Sequence, residues 1–124
     1  MNKAFLTTGA LLAAVAVIFG AFGAHFLKSR LEISALQIFE TGVRYQFYHA
    51  LGLLLAGMLY KEFPGKLMQW AGRFFVAGII LFSGSLYLLC IMSAMRWLGA
   101  ITPLGGLCFI SGWILLAMAF KRAK

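Results

Sequence analysis

Hydrophobic side chains occupy this chain in long runs separated by short polar stretches. The runs fall at about 5–27, 43–60, 68–92 and 98–120. At about 1.5 Å of rise per residue, each is long enough to cross a hydrocarbon layer as a helix. The first run also has the layout of a secretory signal, with Lys3 ahead of an apolar middle and small residues at Ala21–Ala24. Its length exceeds a usual signal core, so the pattern predicts a retained span.

Within that first run the small residues Gly9, Ala13, Ala16, Gly20 and Gly23 recur at alternating spacings of four and three. This spacing places them on one helix face, where a neighbouring helix can approach closely. The segment that follows is polar. Ser29 with Glu32 has the spacing of a capping box, which predicts a helix starting near Arg30. With Leu31, Ala35, Leu36 and Phe39 on one side, residues 30–41 are expected to form a short amphipathic helix at the membrane surface. Thr41-Gly42 then marks a bend into the second span, or the helix runs on through it. Phe63-Pro64-Gly65 predicts a tight reversal, and Met95-Arg96-Trp97 a short connection.

Composition agrees with this pattern. The 124 residues are 63% hydrophobic and 11% charged, more apolar surface than a soluble domain of this size can bury. The expected fold is all-α: one polytopic membrane domain over 1–124, four transmembrane helices in a compact bundle with the interfacial helix between the first two. The net charge of +8 would suggest nucleic acid in a soluble protein. Here the cations sit at the ends of apolar runs, so no nucleic acid is expected and membrane lipids are the expected partners. Lys3, Lys61, Lys66, Arg73, Lys121, Arg122 and Lys124 fall on one side, and Lys28, Arg30, Arg44 and Arg96 on the other. The bias predicts an inner (plasma) membrane protein, multi-pass, with both termini cytoplasmic. Cys90 and Cys108 lie inside apolar runs and read as small buried hydrophobes.

The polar groups concentrate in the outer half. Arg44 falls near the outer interface and His49 about 7 Å deeper. Tyr87, Ser85 and Ser83 descend from the outer end of the third run. Thr102 begins the fourth, and His25 ends the first. At about 100° per residue, Gln37, Glu40, Thr41, Arg44 and Tyr48 form one stripe with Tyr45 and His49 beside it. Glu40 and Arg44 have the spacing of an acid–base pair. Polar groups in a span face the bundle interior or a wet cavity. A polar pocket is therefore expected, lined by His25, Glu40, Arg44, Tyr45, Tyr48, His49, Ser83, Ser85, Tyr87 and Thr102. The competing reading makes the same residues interfacial anchors and interhelical hydrogen bonds.

The phrases GAFGAH (20–25), YQFYHA (45–50), LFSGSLY (81–87) and ITPLGG (101–106) occur in order. Together they resemble domain-of-unknown-function family 423, small bacterial inner-membrane proteins of the YgdD/YwdK type with animal relatives called transmembrane protein 256. The resemblance covers nearly the whole chain. It implies a four-helix membrane protein with no assigned activity, and it puts weight on His25, Tyr45, His49, Ser83, Ser85, Tyr87, Thr102 and Pro103.

Four functional readings remain open. The first is a non-enzymatic protein whose outer pocket binds a lipid, a quinone or another small amphiphile. The second is a small oligomeric transporter, for which His49 is the available proton-coupling group. The third is a scaffold, a possible homo-oligomer, whose polar network is purely structural. Bis-histidine haem or metal binding by His25 and His49 is the fourth, and no cofactor is expected. No Ser-His-Asp set, paired carboxylates, H-E-x-x-H or phosphate loop is present, so no enzyme is expected.

Overall fold

The structure, a computed structural model, describes residues 1–92 and 94–123; Lys124, counted above among the basic residues, lies outside them. Helix α1 spans Lys3–His25, α2 Ile33–Leu59, α3 Lys66–Ile91 and α4 Leu98–Arg122. No strand occurs among the described residues. The stretches Lys3–Ser29, Lys66–Ile91 and Leu98–Arg122 are each long and apolar enough to cross a membrane. Helix α2 has the length, but Glu40, Arg44, Gln46 and His49 interrupt its apolar run. Helices α2 and α3 pack together at the centre, with α1 against α2 on one flank and α4 against α3 on the other.

The small-residue face of α1 packs on α2 as its spacing predicts. A Cβ at Gly9 would stand 2.9 Å from Leu54 and 3.0 Å from the Ala50 carbonyl, and one at Gly23 2.8 Å from the Phe39 ring. Asn2 caps α1 by accepting from the Phe5 N–H at 3.1 Å, and its own N–H donates to the Gly57 carbonyl. The N-terminus is thereby tied to the far end of α2.

The connection and the start of α2 depart from expectation. Ser29 does not cap a helix; its hydroxyl donates to the Phe26 carbonyl at 3.2 Å within a single 3-10 turn, Leu27–Ser29. Helix α2 begins at Ile33, after Glu32 in an extended conformation, and continues unbroken to Leu59. Thr41-Gly42 makes no bend. The Thr41 hydroxyl donates to the Gln37 carbonyl one turn back, which keeps the helix intact. Gly42 is needed for space instead: the Tyr87 ring lies 2.8 Å from where its Cβ would stand.

The reversal after α2 is built as predicted. Gly65 takes φ 124°, a left-handed conformation that side chains disfavour, directly before Lys66 opens α3. Helix α3 widens into a π-helical segment at Ile79–Ser83, where the Gly84 N–H reaches the Ile79 carbonyl. The widened turn brings the Phe82 backbone against α4 so closely that a Cβ at Gly105 would collide with the Phe82 nitrogen. Toward the Pro64 end the interior is apolar. Ala56, Met68, Ala71, Phe75, Leu116 and Ala119 close a core in which the Phe75 ring fills the space over Gly112.

Candidate functional site

Helix α2 carries two polar faces with different fates. Its buried stripe runs Phe39, Gly42, Gln46, His49, Leu53 and Ala56, spacings of three and four that hold one side of the helix against its neighbours. The stripe expected to line the interior, with Glu40, Arg44 and Tyr48, is exposed instead. Polarity alone does not force a side chain inward where water or headgroups can solvate it.

The interior polar groups each find a partner, most of them on a neighbouring helix. Gln46, 3% exposed, donates from Nε2 to the Leu12 carbonyl of α1 at 2.8 Å and accepts the Tyr87 hydroxyl of α3 on Oε1 at 2.6 Å. One side chain thus joins three helices. Ser83, fully buried in the π-helical segment, donates to the Gly42 carbonyl at 2.6 Å. Ser85 and Thr102 share a 2.6 Å hydrogen bond between α3 and α4.

The His49 ring stacks on Phe109 with centroids 3.5 Å apart and planes 9° from parallel. Its Nδ1 lies 2.7 Å from the Tyr45 carbonyl, which can only accept, and its Nε2 lies 3.0 Å from the Trp113 indole N–H, which can only donate. Those partners define a neutral imidazole with its proton on Nδ1. Both nitrogens are occupied, so neither is free to bind a metal or relay a proton without breaking a bond. Among the described residues no buried side-chain nitrogen or oxygen lacks a partner, and no three His, Cys, Asp or Glu groups converge. The interior is saturated.

Between α1 and α2, on the outside of the bundle, lies a groove of about 410 Å³. Its walls are Ala16, Val17, Gly20 and Ala21 on α1, and Val43, Arg44, Phe47 and Tyr48 on α2. A second depression of about 190 Å³ adjoins it, sharing Gly20, Val43 and Arg44 and adding Gly23, Phe39 and Glu40. The apolar part lies deeper along both helices, and Glu40 stands at the end nearest the α1–α2 connection. Arg44 donates to the Thr41 hydroxyl at 3.4 Å and forms no ion pair with Glu40.

The ten residues singled out in the sequence therefore divide among separate places. His49, Ser83, Ser85, Tyr87 and Thr102 belong to the interior set. Glu40, Arg44 and Tyr48 border the groove. Tyr45, 39% exposed, lies over Phe82 with ring centroids 4.7 Å apart. His25 is exposed at the end of α1. Gln46 and Trp113 were not anticipated. Gln46 was legible as the polar member of the buried stripe of α2, whereas only the packing of α4 reveals Trp113 as the partner of His49.

An all-helical chain with three stretches long and apolar enough to cross a membrane has the make-up of a membrane protein. The chain belongs to the DUF423 family, described as a protein of unknown function, which it matches over residues 19–106. It is 47% identical over 118 residues to the UPF0382 membrane protein YwdK of Bacillus subtilis, covering 94% of this chain and 95% of that protein. It is 46% identical over 122 residues to the UPF0382 membrane protein SAB0533 of Staphylococcus aureus, covering 98% of each. No solved structure is significantly similar.

Proposed function

We propose that this is a four-span inner-membrane protein, termini in the cytoplasm, that binds a membrane lipid or similar amphiphile in the groove between α1 and α2 and performs no chemistry on it. The observation that carries the reading is the groove itself. It is apolar along its depth and ends at a guanidinium whose side chain, among the described residues, hydrogen-bonds to Thr41 alone. In the proposed orientation Arg44 stands at headgroup level of the outer leaflet, with the apolar walls level with acyl chains. A phosphate or carbonyl oxygen on Arg44 would gain charge-assisted hydrogen bonds. The interior set has a different task in this reading: it holds α1, α2, α3 and α4 in register so that the groove keeps its shape.

The interior gives no support to proton-coupled transport, because the His49 nitrogens are already bonded to Tyr45 and Trp113. Native mass spectrometry of the full chain, extracted from its own membranes in mild detergent, tests the reading. The wild type should carry lipid-mass adducts that Arg44→Ala weakens and Gly20→Leu abolishes. Gly20 is a suitable site, because its Cβ position lies 3.5 Å from Val43 and a larger side chain there extends into the groove. Equal adduct profiles for all three proteins would refute it.

A further inference from the structure

The groove end presents an acid as well as a base, and the two do not neutralise each other. Glu40 and Arg44 are one turn apart on α2 and line the same depression, a spacing at which opposite charges commonly pair on a helix. Among the described residues they form no ion pair, and the one side-chain hydrogen bond at the pair is that from Arg44 to Thr41. Both charges face the space between α1 and α2, so both are available to a ligand.

We infer that the groove selects a zwitterionic aminophospholipid of the phosphatidylethanolamine class, with its phosphate on Arg44 and its ammonium on Glu40. This inference rests on the lipid-binding reading above. The order of the groups along the groove supports it. Apolar walls at Ala16, Val17 and Phe47 come first, then Arg44, then Glu40 about 6 Å further along the helix. An aminophospholipid presents its parts in the same order, acyl chains, phosphate and then amine. The guanidinium forks onto phosphate oxygens, and the carboxylate accepts N–H bonds from a primary ammonium. A glycerol headgroup carries the same phosphate but no cation for Glu40. A quinone likewise leaves the carboxylate without a counter-ion.

The test is native mass spectrometry of the full chain equilibrated with an equimolar mixture of phosphatidylethanolamine and phosphatidylglycerol. The wild type is expected to retain the ethanolamine lipid over the glycerol lipid by roughly two- to fivefold, the range one exposed ion pair supplies. Glu40→Gln should bring that ratio close to one with total lipid unchanged, and Glu40→Lys should invert it. Glu40 is exposed, so both variants leave the packed interior alone. A wild-type ratio near one, or a ratio that Glu40→Gln does not move, overturns the headgroup assignment and leaves lipid binding standing. Lipid adducts indifferent to both Arg44→Ala and Gly20→Leu overturn the lipid-binding reading itself. A dimer mass lost in Gly20→Leu, without lipid adducts on the wild type, assigns the groove to a second copy of the chain and overturns both.

Discussion

Replacing Gln46 with leucine keeps the side chain's bulk and removes both bonds that tie α2 to α1 and α3. Interhelical hydrogen bonds inside membrane proteins contribute about 0.6 kcal/mol on average and up to about 1.7 kcal/mol. At 2.8 and 2.6 Å these two are well formed, so the substitution should cost about 2 kcal/mol for the pair. Tyr87→Phe removes one of them while keeping the ring that fills the space over Gly42, and should cost about 1 kcal/mol. In the Gln46→Leu background the Tyr87 hydroxyl has already lost its acceptor. Tyr87→Phe should then be neutral or slightly stabilising, because it removes a half-buried hydroxyl left without its acceptor. The double-mutant cycle is therefore expected to show a coupling of about 1 kcal/mol. Unfolding by dodecyl sulfate in mixed micelles, followed by circular dichroism, measures all four proteins. Strictly additive single effects would mean that Gln46 and Tyr87 do not share a bond, and the account of the interior would fail with them.

Three other expectations follow from the packing. Gly105→Ala should destabilise by about 1–3 kcal/mol through overpacking, because its Cβ has no room beside the Phe82 backbone. Gly106→Ala, with nothing within 4 Å, should be neutral or raise helix stability in the same unfolding assay. His49→Ala should leave the Trp113 indole N–H without its acceptor, at a cost of about 2 kcal/mol or more once the lost stacking on Phe109 is included. A Trp113 emission spectrum unchanged in that variant would argue against the bond. For the proposed orientation, a cysteine introduced at Ser29 in a background with Cys90 and Cys108 replaced should react with an impermeant maleimide in intact cells. One introduced at Glu62 should react only after permeabilisation, and the reverse pattern would invert the topology.

Much of the fold was legible because its signals are local. Long apolar runs located α1, α3 and α4 to within a few residues, since burying backbone in hydrocarbon requires a helix of fixed length whatever surrounds it. The small-residue spacing in α1 marked the face that meets α2, and Pro64-Gly65 marked the reversal. The start of α2 was misread because a capping-box spacing at Ser29 and Glu32 is a weak pattern, satisfied here by a 3-10 turn instead. The π-helical segment in α3 left no readable trace, since Ile79–Ser83 is an ordinary apolar stretch and its widened turn is seen only where it meets Gly105.

For the candidate site the division is sharper. The sequence by itself determined that the polar groups gather at one end of the apolar helices, because hydropathy and rise per residue are properties of the chain alone. It did not determine which of them face inward. Glu40, Arg44 and Tyr48 share a stripe, yet all three stay exposed on the outside of the bundle, since polarity alone does not force a side chain inward. Gln46 and His49, on the adjoining face, are buried because Leu12, Tyr87, Phe109 and Trp113 arrive there from three other helices. Only the tertiary structure supplies those partners, and a buried polar group is tolerated where its partners are.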